Sequence, residues 1–167
     1  MAHLHYIFTH HTTNPKPRTP SETMSILPNG VYLIRNGNNV ASNFPATGTH
    51  PPFITAISFA GMSGPYSQWM VKHVDQGAYS ITNLGSGFKA FVKDEEKGAS
   101  VDGNSDKGVH FAIEPAGMNE YTIKTVDRDL DWTVNEEQPE FIRVFLEPSG
   151  KGVSQHFLFQ FLRPFED

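Results

Sequence analysis

Three short phrases recur along this chain at nearly constant distance, and they constrain the fold more than any other feature. Tyr32, Tyr79 and Tyr121 stand in Gly-Val-Tyr-Leu-Ile, Gly-Ala-Tyr-Ser-Ile and Glu-Tyr-Thr-Ile, with 47 residues between the first two tyrosines and 42 between the next. Four positions after each comes a short polar residue, Asn36, Asn83 or Thr125. Trp69 and Phe111 precede Tyr79 and Tyr121 by ten residues each, and Phe157 supplies a third aromatic strand start near the C-terminus. A period of this length marks repeated supersecondary units, none of which can bury its apolar face alone.

The text between these landmarks is almost free of helical periodicity. Runs such as GVYLIRN, FITAISF, QWMVKHV, AYSITN, FKAFV, HFAIEP, EYTIKTV, DWTV, FIRVFL and HFLFQFL alternate and favour strands. Turn-rich stretches (RNGNN, NLGSG, KDEEKG, VDGNSDKG, EPAGMN, EPSGKG) separate them. The expected class is therefore all-β, with a pseudo-threefold repeat of four-stranded units. Three such units, each closed by an aromatic strand, describe a β-trefoil, in which paired strands close a barrel and the remaining hairpins cap one end. On this reading QWMVKHVDQGAYSITN is the last strand of one unit, a tight turn at Asp75 to Gly77, and the first strand of the next. A propeller would need more repeats, and a two-sheet sandwich, the main rival, would not demand the spacing.

At 167 residues the chain suits one well-buried core. Thirteen basic against eighteen acidic residues argue against nucleic acid or an anionic membrane as partner, and the absence of cysteine excludes disulfides, thiol catalysis and Cys-based zinc sites. Residues 1–23 lack a secretory pattern and are broken by Pro15, Pro17 and Pro20. They are expected to form a flexible N-terminal extension ahead of a domain spanning 24–167, with Met24 as an internal start or simply the beginning of the domain.

The residues offer little chemistry. GMSGP and LGSGF lack the Gly-x-Ser-x-Gly elbow. His3, His5, His10 and His11 fall in the extension, and DGNSDKG resembles half a calcium loop but has Lys107 where Gly is needed and Ile113 where Glu is needed. A polar turn is the expectation there. No catalytic residue, metal or cofactor is expected.

LPNGVYLIRNGNN at the start of the repeat, the QWMVK…GAYSITN phrase, and DWTVNEEQPEFIRVFLEP from Asp131 to Pro148 together resemble the small fungal β-trefoil protease inhibitors of the cospin type and, more distantly, the clitocypin and macrocypin group. The resemblance covers Met24 to Asp167. It implies a cytoplasmic protein whose surface loops block a serine or cysteine protease, and a monomer is expected. In the cospin arrangement the loop between the second and third strands is inhibitory. Here it reads SNFPATGTHPPF, Ser42 to Phe53, without Lys or Arg, so an acid-based trypsin pocket finds no partner in it. Phe44 suits a chymotrypsin-like pocket, although Pro45 disfavours substrate-like binding, and Asn43 suits an asparagine-specific, legumain-type enzyme. Lys107, Arg128 and Lys151 are the basic candidates in other loops. The more distant branch uses the first-to-second and third-to-fourth strand loops. Those correspond to Asn36, Gly37, Asn38 and Asn39 in RNGNN, and to Gly61, Met62 and Tyr66 in AGMSGPYSQ.

The alternative is a glycan-binding trefoil of the ricin-B type. SQW at Ser67 to Trp69 is similar to the Gln-x-Trp motif of those lectins, but Gln68 directly adjoins Trp69. An exposed tryptophan platform would favour that alternative.

Overall fold

The computed structural model describes residues 27–44, 53–58, 64–75, 77–135, 142–150 and 152–165. Among these residues twelve strands fall into three successive groups of four. The first unit holds β1 (Gly30–Asn36), β2 (Asn39–Asn43), β3 (Ile54–Ser58) and β4 (Gln68–Asp75). The second holds β5 (Ala78–Asn83), β6 (Lys89–Phe91), β7 (Asp102–Asn104) and β8 (Phe111–Gly117), and the third β9 (Glu120–Thr125), β10 (Leu130–Asn135), β11 (Arg143–Pro148) and β12 (Phe157–Arg163).

In every unit the first strand pairs with the last, and each last strand pairs with the first strand of the next unit, β12 returning to β1. Six strands thereby close a barrel, which removes the sheet edges that an open arrangement would leave. The middle strands form hairpins β2–β3, β6–β7 and β10–β11. These hairpins meet through three equivalent backbone bridges, Phe53 to Asp102, Ser100 to Phe145, and Arg143 to Thr55. Between the bridges Ile54, Val101 and Val144 are wholly buried. This is the β-trefoil expected from the spacing.

Register explains the repeat. Tyr32 lies opposite Trp69, Tyr79 opposite Phe111 and Tyr121 opposite Phe157, so each tyrosine faces the aromatic that opens the closing strand of its own unit. Two positions on, Ile34, Ile81 and Ile123 point the same way and are buried. Trp132 fills the centre with its ring edge-on to Phe111 and Phe157. Where β1 begins, the Tyr32 hydroxyl donates to the Pro28 carbonyl at 2.6 Å, and the Tyr79 hydroxyl accepts from the Leu27 amide at 3.0 Å. Burial, with Tyr121 and Tyr79 nearby, pushes the Tyr32 phenol up to about 12.

The Gln68 to Asn83 stretch is strand, turn and strand as expected, with Gly77 at φ +84°. Two strands are not among the runs that read as strand. β2 is longer than the gap between the Arg35 to Asn39 turn and the Ser42 to Phe53 loop, since Asn39, Ser42 and Asn43 join it, and β7 lies inside the stretch read as a polar turn. Asn104 does cap that turn, its side-chain oxygen accepting from the Asp106 and Lys107 amides at 2.9 and 2.8 Å.

Candidate functional site

β2 is built from Asn-Val-Ala-Ser-Asn, an unusual composition for a buried strand. The polar side chains of Ser42 and Asn43 suit it because both find partners inside. The Ala41 carbonyl accepts from Trp69 Nε1 at 2.8 Å, and Ser42 Oγ lies 2.8 Å from Ser67 Oγ. Asn43 is fully buried; its Nδ2 donates to the Phe53 carbonyl at 3.1 Å, and its Oδ1 accepts from Ser86 Oγ at 2.8 Å. Since Asn43 pairs with Ile54, β2 and β3 are joined by residues 44–53 rather than the longer Ser42 to Phe53 stretch. The connection thus departs and returns beside one buried amide.

Both ends of the connection are further held. Phe44 packs its ring on Tyr66 at 5.4 Å between centroids. Tyr66 belongs to the 3₁₀ turn Pro65–Ser67 that leads into β4; its carbonyl accepts from Asn83 Nδ2 at 2.8 Å, while Gly85 lies against it so closely that a Cβ would come within 2.6 Å. At the other end the Arg143 guanidinium covers the Phe53 ring at 3.5 Å. Asp102 stands beside it. Burial pushes that carboxyl up, opposed by the Ser100 hydroxyl, which donates to it at 2.7 Å, and by the Arg143 charge.

The β1–β2 turn is a two-residue hairpin closed by Asn36 opposite Asn39, with Gly37 at φ +55° followed by Asn38. Asn36 is buried and its Nδ2 donates to the carbonyls of Val153 and His156 at 2.7 and 2.9 Å. Asn38 is therefore the exposed tip and Asn36 its anchor. Asn83 makes the equivalent bond to Tyr66 one unit on, which accounts for the polar residue four positions after these two tyrosines.

The structure gathers Asn43, Phe44 and Tyr66 into one region and joins it to the Asn36 to Asn39 turn through β2. Lys107 and Arg128 are exposed on other connections, β7–β8 and β9–β10, where the Arg128 guanidinium donates to the Glu95 carbonyl. Gly61, Met62 and Lys151 lie outside the described residues. Sequence reading missed Phe53, Ser86, Gly103 and Arg143, whose part in this region depends on contacts between units. Among the described residues a groove of about 610 Å³ is lined by Lys97, Thr133, Asn135, Phe145, Glu147 and Ser154. Both tryptophans are inside the core, at 1% and 0% exposure, so neither is a platform for sugar.

Residues 24–163 match the family model described as peptidase inhibitor I66. Among solved structures, the chain is similar to the Rhizoctonia solani agglutinin at 19% identity and TM-score 0.71, covering 81% of this chain and 97% of the agglutinin. It is similar to ThreeFoil, a designed threefold-symmetric protein, at 17% identity and TM-score 0.69, covering 80% and 99%. A proteinase inhibitor from Coprinopsis cinerea gives 16% identity and TM-score 0.64, covering 81% and 99%. At these identities the likenesses show the fold alone. A comparison with curated protein sequences finds no match.

Proposed function

The chain belongs to the peptidase inhibitor I66 family, and from that premise we propose that it blocks a serine or cysteine protease with the face around the β2–β3 connection. Family membership makes it a protease inhibitor rather than an enzyme, with a protease as partner. The observation that carries the choice of face is the double tether of that connection, by Asn43 and Arg143 at Phe53 and by Tyr66 at Phe44. Fixing the two ends of a connection before docking lowers the conformational entropy lost on binding, so a modest contact area supports tight inhibition. The rigid Gly37–Asn38 hairpin lies at the far end of β2 and offers a second contact.

The side chains narrow the target. Residues 42–53 contain no Lys or Arg, so a trypsin-like pocket is not served here; Phe44, with its ring half-buried on Tyr66, fits an enzyme that accepts an aromatic or one whose cleft is simply obstructed. Glycan binding is the weaker reading, because both tryptophans are buried and cannot serve as an exposed aromatic platform. Substitution separates the faces. Phe44→Ala and Asn38→Ala are expected to weaken inhibition of the target protease, and Lys107→Ala and Arg128→Ala to leave it unchanged. Loss confined to Lys107→Ala or Arg128→Ala would move the site to those connections.

A further inference from the structure

We infer that Asn43 is a positioning residue: its side-chain amide fixes the separation between the two ends of the β2–β3 connection, with Ser86 and Arg143 as its supports from the other two units. Its consequence for inhibition rests on the reading of the docking face given above, but the geometry stands apart from it. Asn43 is the last residue of β2, and its Nδ2 reaches across to the carbonyl of Phe53, the residue before β3. One side chain thus bridges the start and the finish of the connection.

The amide is oriented from the second unit. Ser86 Oγ donates to Asn43 Oδ1 at 2.8 Å and lies 3.1 Å from Asn83 Oδ1. Asn83 in turn donates to the carbonyl of Tyr66, on which Phe44 rests. Gly103 of β7 backs the amide so closely that a Cβ there would lie 2.6 Å from Asn43 Nδ2. From the third unit Arg143 covers the Phe53 ring at 3.5 Å. A buried amide must have both its donor and its acceptor satisfied, and here one bond closes the stem while the other ties it to a neighbouring unit. Opening the stem therefore requires parting contacts between units as well as within the hairpin. The set requires a side-chain amide: aspartate cannot donate to Phe53, and alanine does neither.

The test is limited digestion of the full chain by a broad-specificity protease, proteinase K, with cut sites mapped by mass spectrometry and thermal unfolding followed in parallel. Asn43→Ala and Asn43→Asp are expected to be cut within residues 44–53 roughly tenfold faster than the wild type, the factor that losing one buried hydrogen bond sets for a locally opened population, while the cooperative unfolding transition is retained. Arg143→Gln and Ser86→Ala are expected to accelerate the same cuts to a lesser degree. Unchanged rate and position in folded Asn43→Ala would overturn the inference; should that variant not fold, unchanged cutting in both Arg143→Gln and Ser86→Ala would do so. Against a protease that the wild type inhibits, Asn43→Ala should become a slowly cleaved substrate whose inhibition fades with time, which a uniformly less stable scaffold would not show. A wild type that inhibits no protease contradicts the functional reading, and the digestion result still decides the role of Asn43.

Discussion

Asn36, Asn43 and Asn83 share a residue type and a burial class, and each spends its amide on the backbone of a connection. Losing such a group leaves buried carbonyls without their donor. Asn36→Ala is expected to lower stability by about 1–3 kcal/mol, measured by urea unfolding, whereas Asn38→Ala at the exposed tip should stay within about 0.5 kcal/mol of wild type. Gly103→Ala places a Cβ against the Asn43 amide and should cost about 1–3 kcal/mol through overpacking. Asp131 carries a pH dependence. It is buried, with the Ser149 hydroxyl donating to it at 3.0 Å, and burial raises its pKa above the ordinary carboxylate value, only partly offset by Ser149 and Lys124. Protonation therefore favours the folded state, and stability falls as pH rises through the raised folded value. Asp131→Asn removes that fall, so its melting temperature relative to wild type should be higher near pH 7 than near pH 3; a constant difference would contradict the assignment.

At the scale of elements, ten of the twelve strands were legible because their alternating apolar residues reveal the buried face. β2 and β7 were not, and the reason is physical. Ser42 and Asn43 are wholly buried, yet as residue types they signal a loop, and Asp-Gly-Asn reads as a turn although Gly103 is there to admit the Asn43 amide. The two illegible strands are the two that meet at Asn43, and local preference giving way to such contacts is common where a protein carries function. The turns between units follow local rules more faithfully. β4 and β8 each show a register irregularity before the turn, and the left-handed position is Gly77 in the first and Asn119, at φ +62°, in the second. Gly77→Ala should cost about 1 kcal/mol, since alanine is strained at that φ. Asn119→Gly relieves a milder strain and should be neutral or slightly stabilising, both read by thermal unfolding.

For the whole molecule, the repeat was the legible part and its departures were not. Tyr32, Tyr79 and Tyr121 follow one register, but Thr125 does not repeat what Asn36 and Asn83 do: its hydroxyl donates to the Arg128 carbonyl within its own turn. The three units are therefore unequal, and the tether of the β2–β3 connection is drawn from all three. The same architecture encloses both tryptophans, so native emission should be blue-shifted, little quenched by acrylamide and unmoved by simple sugars. Sugar-dependent quenching would instead support a glycan site. The central claim is that this scaffold holds a protease-blocking face, and the direct measurement is residual activity of trypsin, chymotrypsin, papain and legumain titrated with the purified chain. The account predicts stoichiometric loss of activity for a chymotrypsin-like or cysteine protease, weakened by Phe44→Ala. No loss for any of the four would contradict it for these classes, and loss confined to trypsin and abolished by Lys107→Ala would contradict the choice of face.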